Sequence, residues 1–491
     1  MNFKKSKLFK AFILALVLIF TFILRAHNYD RVPPIGQLEE LAFGWAGIHL
    51  IETGSPVSWS TLEYPESALI FKGEKNLGGN DPKVFVNLYD PWLDQPPLFS
   101  LLSGGAAHLF GADRNSVLPT SYLRLPSILI AFFTSVFLFL IARKVSGFWV
   151  GTLAVLIYGT TPILVFASRL AVPENLIALF YLIIIYLLLK FKEKPAFLYL
   201  LSIPFLIGLS GLSKATGFLI APLVLYEVFL KKYYKSLAYI LFVALIFIGL
   251  FIAYGIYFDS DIFWRLMQIQ STRPVGFSSL GFMLVTPSFD INVVYDNFYI
   301  FCLISAIFFL FAAKFNETLK LDQAKNFVLF SLVYGIIIVA FSGGERDLLS
   351  WYRFIFMPLL SITGAWGVIY VIKNISFVTT VIAVFLFLGN RYLHVNPFRP
   401  HLTPLEFRAM FSILVLPSLV YEGLGKKSLQ IVCKSLLVIA LAIGIYINSV
   451  YIYNTMEINC ESLSCPIGPS TSLSTIHFPL IWRLFVLQPG N

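Results

Sequence analysis

The sequence predicts an all-α polytopic membrane protein, a bundle of about 11–13 transmembrane helices with one long extracytoplasmic loop after the first. Three observations carry that expectation. Of 491 residues, 58% are hydrophobic and only 13% charged, with a mean hydropathy of +0.81. Soluble domains carry about a quarter charged residues, so this chain lacks the polar coat that water demands. Second, the apolar runs Leu8–Leu24, Leu125–Ala142, Ala238–Tyr257 and Leu436–Tyr453 approach the ~20 residues that cross hydrocarbon as a helix. No alternating pattern suggests a barrel, which leaves helices to satisfy the backbone in lipid. Third, the basic residues divide unevenly between the two sides that these runs define.

Taken in order, the expected spans are 8–25, 125–142, 149–167, 174–190, 196–213, 215–230, 238–257, 298–313, 327–342, 354–372, 375–389, 409–422 and 435–453. Lys4, Lys5, Lys7 and Lys10 precede the first run and no small-residue cleavage site follows it, so it reads as a retained anchor with a cytoplasmic N-terminus. The chain then divides into 1–25 (N-terminus and first span), 26–124 (extracytoplasmic loop), 125–453 (bundle) and 454–491 (extracytoplasmic tail). Segments assigned to the cytoplasmic side hold 19 Lys and Arg against 5 acids; the other side holds 17 against 21. That is the positive-inside bias. The clusters Lys190/Lys192/Lys194, Lys231/Lys232/Lys235 and Lys426/Lys427 supply much of it, so the +10 net charge reports orientation and lipid headgroups rather than nucleic acid. The cations also differ in kind. Inside, 18 of the 19 are Lys; outside, 13 of the 17 are Arg, whose planar fork suits phosphate or carboxylate.

The loop Ala26–Arg124 is too long for a connector. Two stretches within it read as interfacial helices. Leu38–Thr53 is apolar at Leu41, Trp45, Ile48 and Ile51 with Glu39, Glu40, His49 and Glu52 interspersed, and Pro97–Phe110 is apolar with small residues. Of the four cysteines, Cys302 and Cys433 lie in or beside apolar helices. Cys460 and Cys465, with four residues between them in the outer tail, suit a small disulfide loop. The six histidines show no ligand spacing, so no metal site is indicated.

Few residues can carry chemistry. Glu39 and Glu40 stand together on an interfacial helix, and adjacent carboxylates near an apolar surface suit a general base; a solvated helix-terminal pair is the plain alternative. Asp90, Asp94 and Gln95, set among Tyr89, Trp92 and prolines, combine carboxylate, amide and aromatic groups as sugar sites do, and as ordinary turns do. Arg124, Arg169, Lys214 and Arg353 all fall at outer ends of expected spans. Lys214 has apolar helix on both sides, where a charge needs a partner or must snorkel. Four cations facing a carboxylate pair suit a lipid-linked phosphate. A lipid or solute transporter, the rival from another class, calls for ionisable groups near the midplane.

This order of features resembles the GT-C superfamily of polyprenyl-phosphate-sugar-dependent glycosyltransferases, specifically family 39, which includes protein O-mannosyltransferases and aminoarabinose transferases. The resemblance rests on Glu39-Glu40, where the family pattern has Asp-Glu, and on Gln95-Pro96-Pro97-Leu98 running to Phe110-Gly111. It continues through Arg124-Leu125-Pro126, Ser168-Arg169 with Glu174, Lys214 at a helix break, and Trp351-Tyr352-Arg353 running to Pro358. It implies a donor sugar on a polyprenyl phosphate, an acceptor hydroxyl on a protein, lipid or glycan, and reaction at the extracytoplasmic face with inversion. It further implies a base at Glu39 or Glu40, phosphate ligands among Lys214, Arg353, Arg124 and Arg169, sugar or acceptor contacts from Asp90, Asp94, Gln95, Glu174 and Tyr352, and no metal or other cofactor. A lipid-linked oligosaccharide polymerase or ligase shares the same donor logic.

Overall fold

Apolar runs long enough for lipid become helices throughout. The computed structural model describes residues 3–33, 38–75, 84–115, 118–272, 297–315, 321–342, 350–388 and 403–454; Cys460 and Cys465 lie outside them. Each of the thirteen expected spans falls on helix. Seven helices are long and apolar enough to cross a membrane alone: the first, trimmed to Lys7–Ala26, with Thr120–Ser146, Pro173–Glu193, Tyr234–Ser271, Gln323–Ala340, Pro404–Leu424 and Lys427–Tyr453. Phe148–Thr160 and Pro162–Arg169 form a further pair bent by 70°. Five shorter apolar helices complete the set: Phe197–Ser213, Ala215–Leu230, Asn297–Ala312, Met357–Lys373 and Phe377–Leu388.

The departures from straight spans have local causes. At Thr161–Pro162 the residue before the proline is extended (φ −84°, ψ 112°), as the proline ring requires, and the ring supplies no N–H to continue the ladder. The run expected over 238–257 continues to Ser271, because Asp259 leaves helical geometry (φ −164°, ψ 110°) and its carboxylate accepts from the Ile262 amide at 2.9 Å. The chain is thereby capped and started again as a second helical segment.

The described part of the long loop folds as a layer packed against one end of the bundle. Helix α2 (Leu38–Thr53) and helix α3 (Pro97–Leu109) lie against each other. A small antiparallel sheet, absent from the all-α expectation, joins them: β1 (Ser58–Trp59), β2 (Leu69–Lys75) and β3 (Val84–Tyr89), in the order β1-β3-β2. The alternation that makes β3 a strand is visible in its burial, with Val86 and Leu88 inward and Phe85 exposed. A six-residue pattern is lost among runs three times its length. Glycine decides how closely α2 and α3 approach. A Cβ on Gly47 would stand 1.9 Å from the Ser100 carbonyl oxygen, and one on Gly104 would stand 2.6 Å from the Gly44 oxygen. Backbone therefore meets backbone, and no side chain can be inserted. Leu41, Trp45, Ile48, Phe99, Leu123 and Phe263 form a core beneath this layer, distinct from the main core of the bundle.

At the other end, lysines pair with acids at helix termini: Lys144 with Glu193 and Lys192 with Glu227. The Lys192 ammonium also lies 4.4 Å from the centre of the Phe327 ring.

Candidate active site

The two glutamates of α2 are neighbours in sequence but turn about 100° apart around the helix, and the structure gives them opposite surroundings. Glu40 points inward and is 3% exposed. Its carboxylate takes both prongs of the Arg124 guanidinium, Nε to Oε1 at 2.9 Å and Nη2 to Oε2 at 2.6 Å, and Oε1 also accepts the Ala171 amide at 2.6 Å. Arg124 Nη1 donates to the carbonyls of Tyr29 (2.8 Å) and Pro33 (3.0 Å). Glu39 instead lines a cavity of about 350 Å³.

Arg169 is likewise committed. Its Nε, Nη1 and Nη2 donate to the carbonyls of Arg25 (3.1 Å), Val32 (3.0 Å) and Leu24 (2.7 Å), ending the first helix. Arg25 returns the contact. Its Nε reaches Ser168 Oγ at 3.1 Å, its Nη2 the Tyr158 carbonyl at 2.9 Å, and its guanidinium lies over the Tyr158 ring. Sequence reasoning passed over Arg25, since it stands where any span might end in a basic residue. Together these arginines clamp the turn between the first helix and α2.

The cavity wall draws on six separate parts of the chain: Glu39, Ala42 and Phe43 from α2; Trp59, Ser60, Thr61, Leu62, Trp92, Asp94 and Gln95 from the loop layer; Pro173 and Glu174; Lys214; Gln270; and Tyr352. Of the residues singled out from sequence, Glu39, Asp94, Gln95, Glu174, Lys214 and Tyr352 meet there. Glu40, Asp90, Arg124, Arg169 and Arg353 are not on this lining. Asp90 accepts from the Ser55 hydroxyl, and the Arg353 guanidinium is fully buried 5.8 Å from the Tyr299 ring.

Several polar groups on the wall are held from behind. Asp94 accepts from Ser60 Oγ at 2.5 Å and Tyr64 Oη at 2.6 Å. Tyr64 Oη in turn accepts the Leu93 amide at 2.9 Å. Burial, together with the Asp94 charge, pushes the Tyr64 hydroxyl well above its ordinary pKa, so it stays a neutral donor. Gln270 Nε2 donates to the Asp94 carbonyl at 2.8 Å; this contact exists because the helix breaks at Asp259 and restarts, which no composition signal announces. Lys214 ends the helix Ile203–Ser213 with extended backbone (φ −157°, ψ 135°). Its ammonium donates to Glu174 Oε1 at 2.5 Å and lies 3.8 Å from the centre of the Tyr352 ring. Burial works to lower the Lys214 pKa, but Glu174 and Tyr352 raise it, and the net shift is upward. The lysine is therefore cationic at any ordinary pH. Among the described residues, no group of three or more His, Cys, Asp or Glu is placed to hold a metal ion.

Comparison with known proteins agrees with this architecture. The family described as dolichyl-phosphate-mannose-protein mannosyltransferase matches residues 94–257. The structure is similar to the crystal structure of ArnT from Cupriavidus metallidurans bound to undecaprenyl phosphate, with a TM-score of 0.54 and 14% identity, over 90% of this chain and 76% of that one. It is also similar to the cryo-EM structure of the arabinosyltransferase EmbB from Mycobacterium smegmatis, with a TM-score of 0.54 and 12% identity, over 90% of this chain and 40% of that one. No curated protein sequence matches the chain. At these identities the likeness is one of fold: the chain has the GT-C architecture of an integral multi-pass membrane protein.

Proposed function

We propose that this GT-C chain is a membrane glycosyltransferase that moves a sugar from a polyprenyl-phosphate donor to an acceptor hydroxyl at the extracytoplasmic face. The observation that carries the reading is the shared cavity. One carboxylate, Glu39, and one buried ammonium, Lys214, line the same volume, together with aromatic and amide groups. That is the equipment glycosyl transfer needs. The lipid-phosphate sugar enters with its phosphate at Lys214, whose three N–H bonds can hold Glu174 and a phosphate oxygen together. Glu39 accepts the proton of the acceptor hydroxyl as its oxygen bonds to the anomeric carbon. The bond from that carbon to the phosphate oxygen breaks from the opposite face, the electron pair leaves with the phosphate, and configuration inverts. Negative charge grows on the phosphate in this step, and a preplaced ammonium stabilises it without reorganisation.

In this scheme Arg124 and Arg169 hold the frame rather than the donor, Glu40 is the counter-charge of Arg124, and Arg353 braces the turn that carries Tyr352. Trp59 and Trp92 offer faces and Asp94, Gln95 and Gln270 offer hydrogen bonds for sugar or acceptor. No metal is assigned a part. The cytoplasmic N-terminus and the outer position of the cavity follow from the lysine bias in sequence. The direct test incubates purified protein with short-chain polyprenyl-phosphate sugars and follows release of the bare lipid phosphate. Release that depends on protein and on Glu39 supports the reading; a protein that frees no lipid phosphate from any of them refutes it.

A further inference from the structure

Two ion pairs tie the helix Pro173–Glu193 to the segment that carries Lys214, one near each end and with opposite polarity. At the cavity, Glu174 in the first turn of the helix accepts from Lys214. About 27 Å further along the same helix, Lys192 in its last turn pairs with Glu227. The far pair is withdrawn from solvent, with side chains 13% and 6% exposed, and it takes no part in the proposed chemistry. Between Lys214 and Glu227 the chain is not uniform helix. It is extended at Lys214, winds as a six-residue 3₁₀ turn over Ala215–Ile220 and becomes α-helix only over Ala221–Leu230. A 3₁₀ turn rises about 2.0 Å per residue and an α-helix about 1.5 Å, so rewinding that turn would shorten it by about 3 Å. The helix Gln323–Ala340 bridges the two elements at intermediate levels. Tyr181 Oη donates to the Ser331 carbonyl and Tyr334 Oη to the Leu219 carbonyl, each at 2.7 Å, and the Lys192 ammonium lies over the Phe327 ring. Phe327, Ser331 and Tyr334 fall on one stripe of that helix.

We propose that Lys192 and Glu227 are positioning residues that set the depth of the Lys214 ammonium in the cavity from the opposite end of the bundle. A pair at the cavity alone leaves the 3₁₀ turn behind it able to shorten or lengthen. Anchors at both ends fix its length. The far pair also fixes register, because sliding the two elements past each other by one helical turn, about 5.4 Å, separates both pairs at once. Register is the best attested use of a buried ion pair. The consequence for turnover rests on the glycosyl-transfer reading. An ammonium displaced by about an ångström stabilises the growing phosphate charge less well, and misplacement on that scale costs about 100-fold in rate.

The test removes both charges together, so that neither is stranded in the interior. The Lys192→Met/Glu227→Leu variant should keep its unfolding temperature in detergent. Hydrogen exchange of the amides of 215–220 should nonetheless become about tenfold faster or more, while that of 203–213 stays unchanged. Lipid-phosphate release from short-chain polyprenyl-phosphate sugars should fall by about 10–100-fold. The fall should lie in kcat rather than KM, because the charge that Lys214 answers grows only in the transition state. The reversed pair, Lys192→Glu/Glu227→Lys, should return turnover to within about fivefold of wild type. A folded double variant with wild-type exchange over 215–220, or with wild-type kcat, overturns the proposal. Should that variant fail to fold, Glu227→Gln, which keeps the shape of the side chain, is read in the same way. Wild-type protein that releases no lipid phosphate overturns the glycosyl-transfer reading instead, and the exchange measurement then decides the positioning role by itself.

Discussion

Two sets of buried charge lie side by side in this molecule, and they are finished differently. In the frame, Arg124 and Glu40 form a two-point pair, and Arg25 and Arg169 give their N–H groups to carbonyls and a hydroxyl of the facing helix. In the cavity, Glu39, Asp94, Glu174 and Lys214 line open volume. Burial does not separate the two sets, since Glu40 and Glu174 are 3% and 1% exposed. Access to the cavity does. A charge sealed among protein groups holds architecture; a charge that lines open volume is placed to meet a ligand.

The contrast can be broken by substitution. The largest effect belongs to Glu39→Gln, which should lower lipid-phosphate release by about 10²–10⁴-fold, the usual worth of a general base, while the unfolding temperature in detergent stays unchanged. An equal loss of stability would move Glu39 into the frame. Arg124→Ala should behave in the opposite way. It strands Glu40 in the interior and should cost about 3–5 kcal/mol of stability, read as a lower midpoint or as loss of folded protein, and pairing it with Glu40→Leu should recover part of that. Gly47→Ala drives a methyl into the Ser100 carbonyl. It should destabilise by about 1–3 kcal/mol, and where the protein stays folded it should slow turnover by displacing α2. The smallest effect is a predicted constancy. The Lys214 pKa is raised, so the stability its pair contributes is present below the ordinary lysine value and lost only as pH rises through the higher folded one. Affinity for the lipid-phosphate sugar, a diester with no second ionisation, should therefore stay flat between about pH 6 and 9; a fall within that window would put another group at the phosphate.

Much of this architecture was legible in sequence because lipid imposes a coarse rule. A helix that must cross hydrocarbon announces itself with many apolar residues, and each expected span met a helix. Six of the residues that meet at the cavity could be listed in advance, from Glu39 to Tyr352, but not their division of labour. Adjacent positions on a helix always face apart, and the sequence does not say which of Glu39 and Glu40 faces in until Arg124 is seen to arrive from 84 residues away. Arg169 looked like a phosphate ligand because guanidinium suits phosphate; backbone carbonyls at the end of a helix suit it equally. Gln270 and the three-stranded sheet went unseen, the first for want of any local signal beyond the helix break and the second because its strands are short.

The glycine contact between α2 and α3 has a consequence for how a large acceptor could be admitted. Two helices touching through main chain have no rotamers to yield and no soft layer to compress, so they shift together or not at all. Widening the chamber from that side would carry the Glu39 carboxylate away from the Lys214 ammonium and separate attack from departure. A contact of this kind fixes the spacing on which the proposed reaction depends.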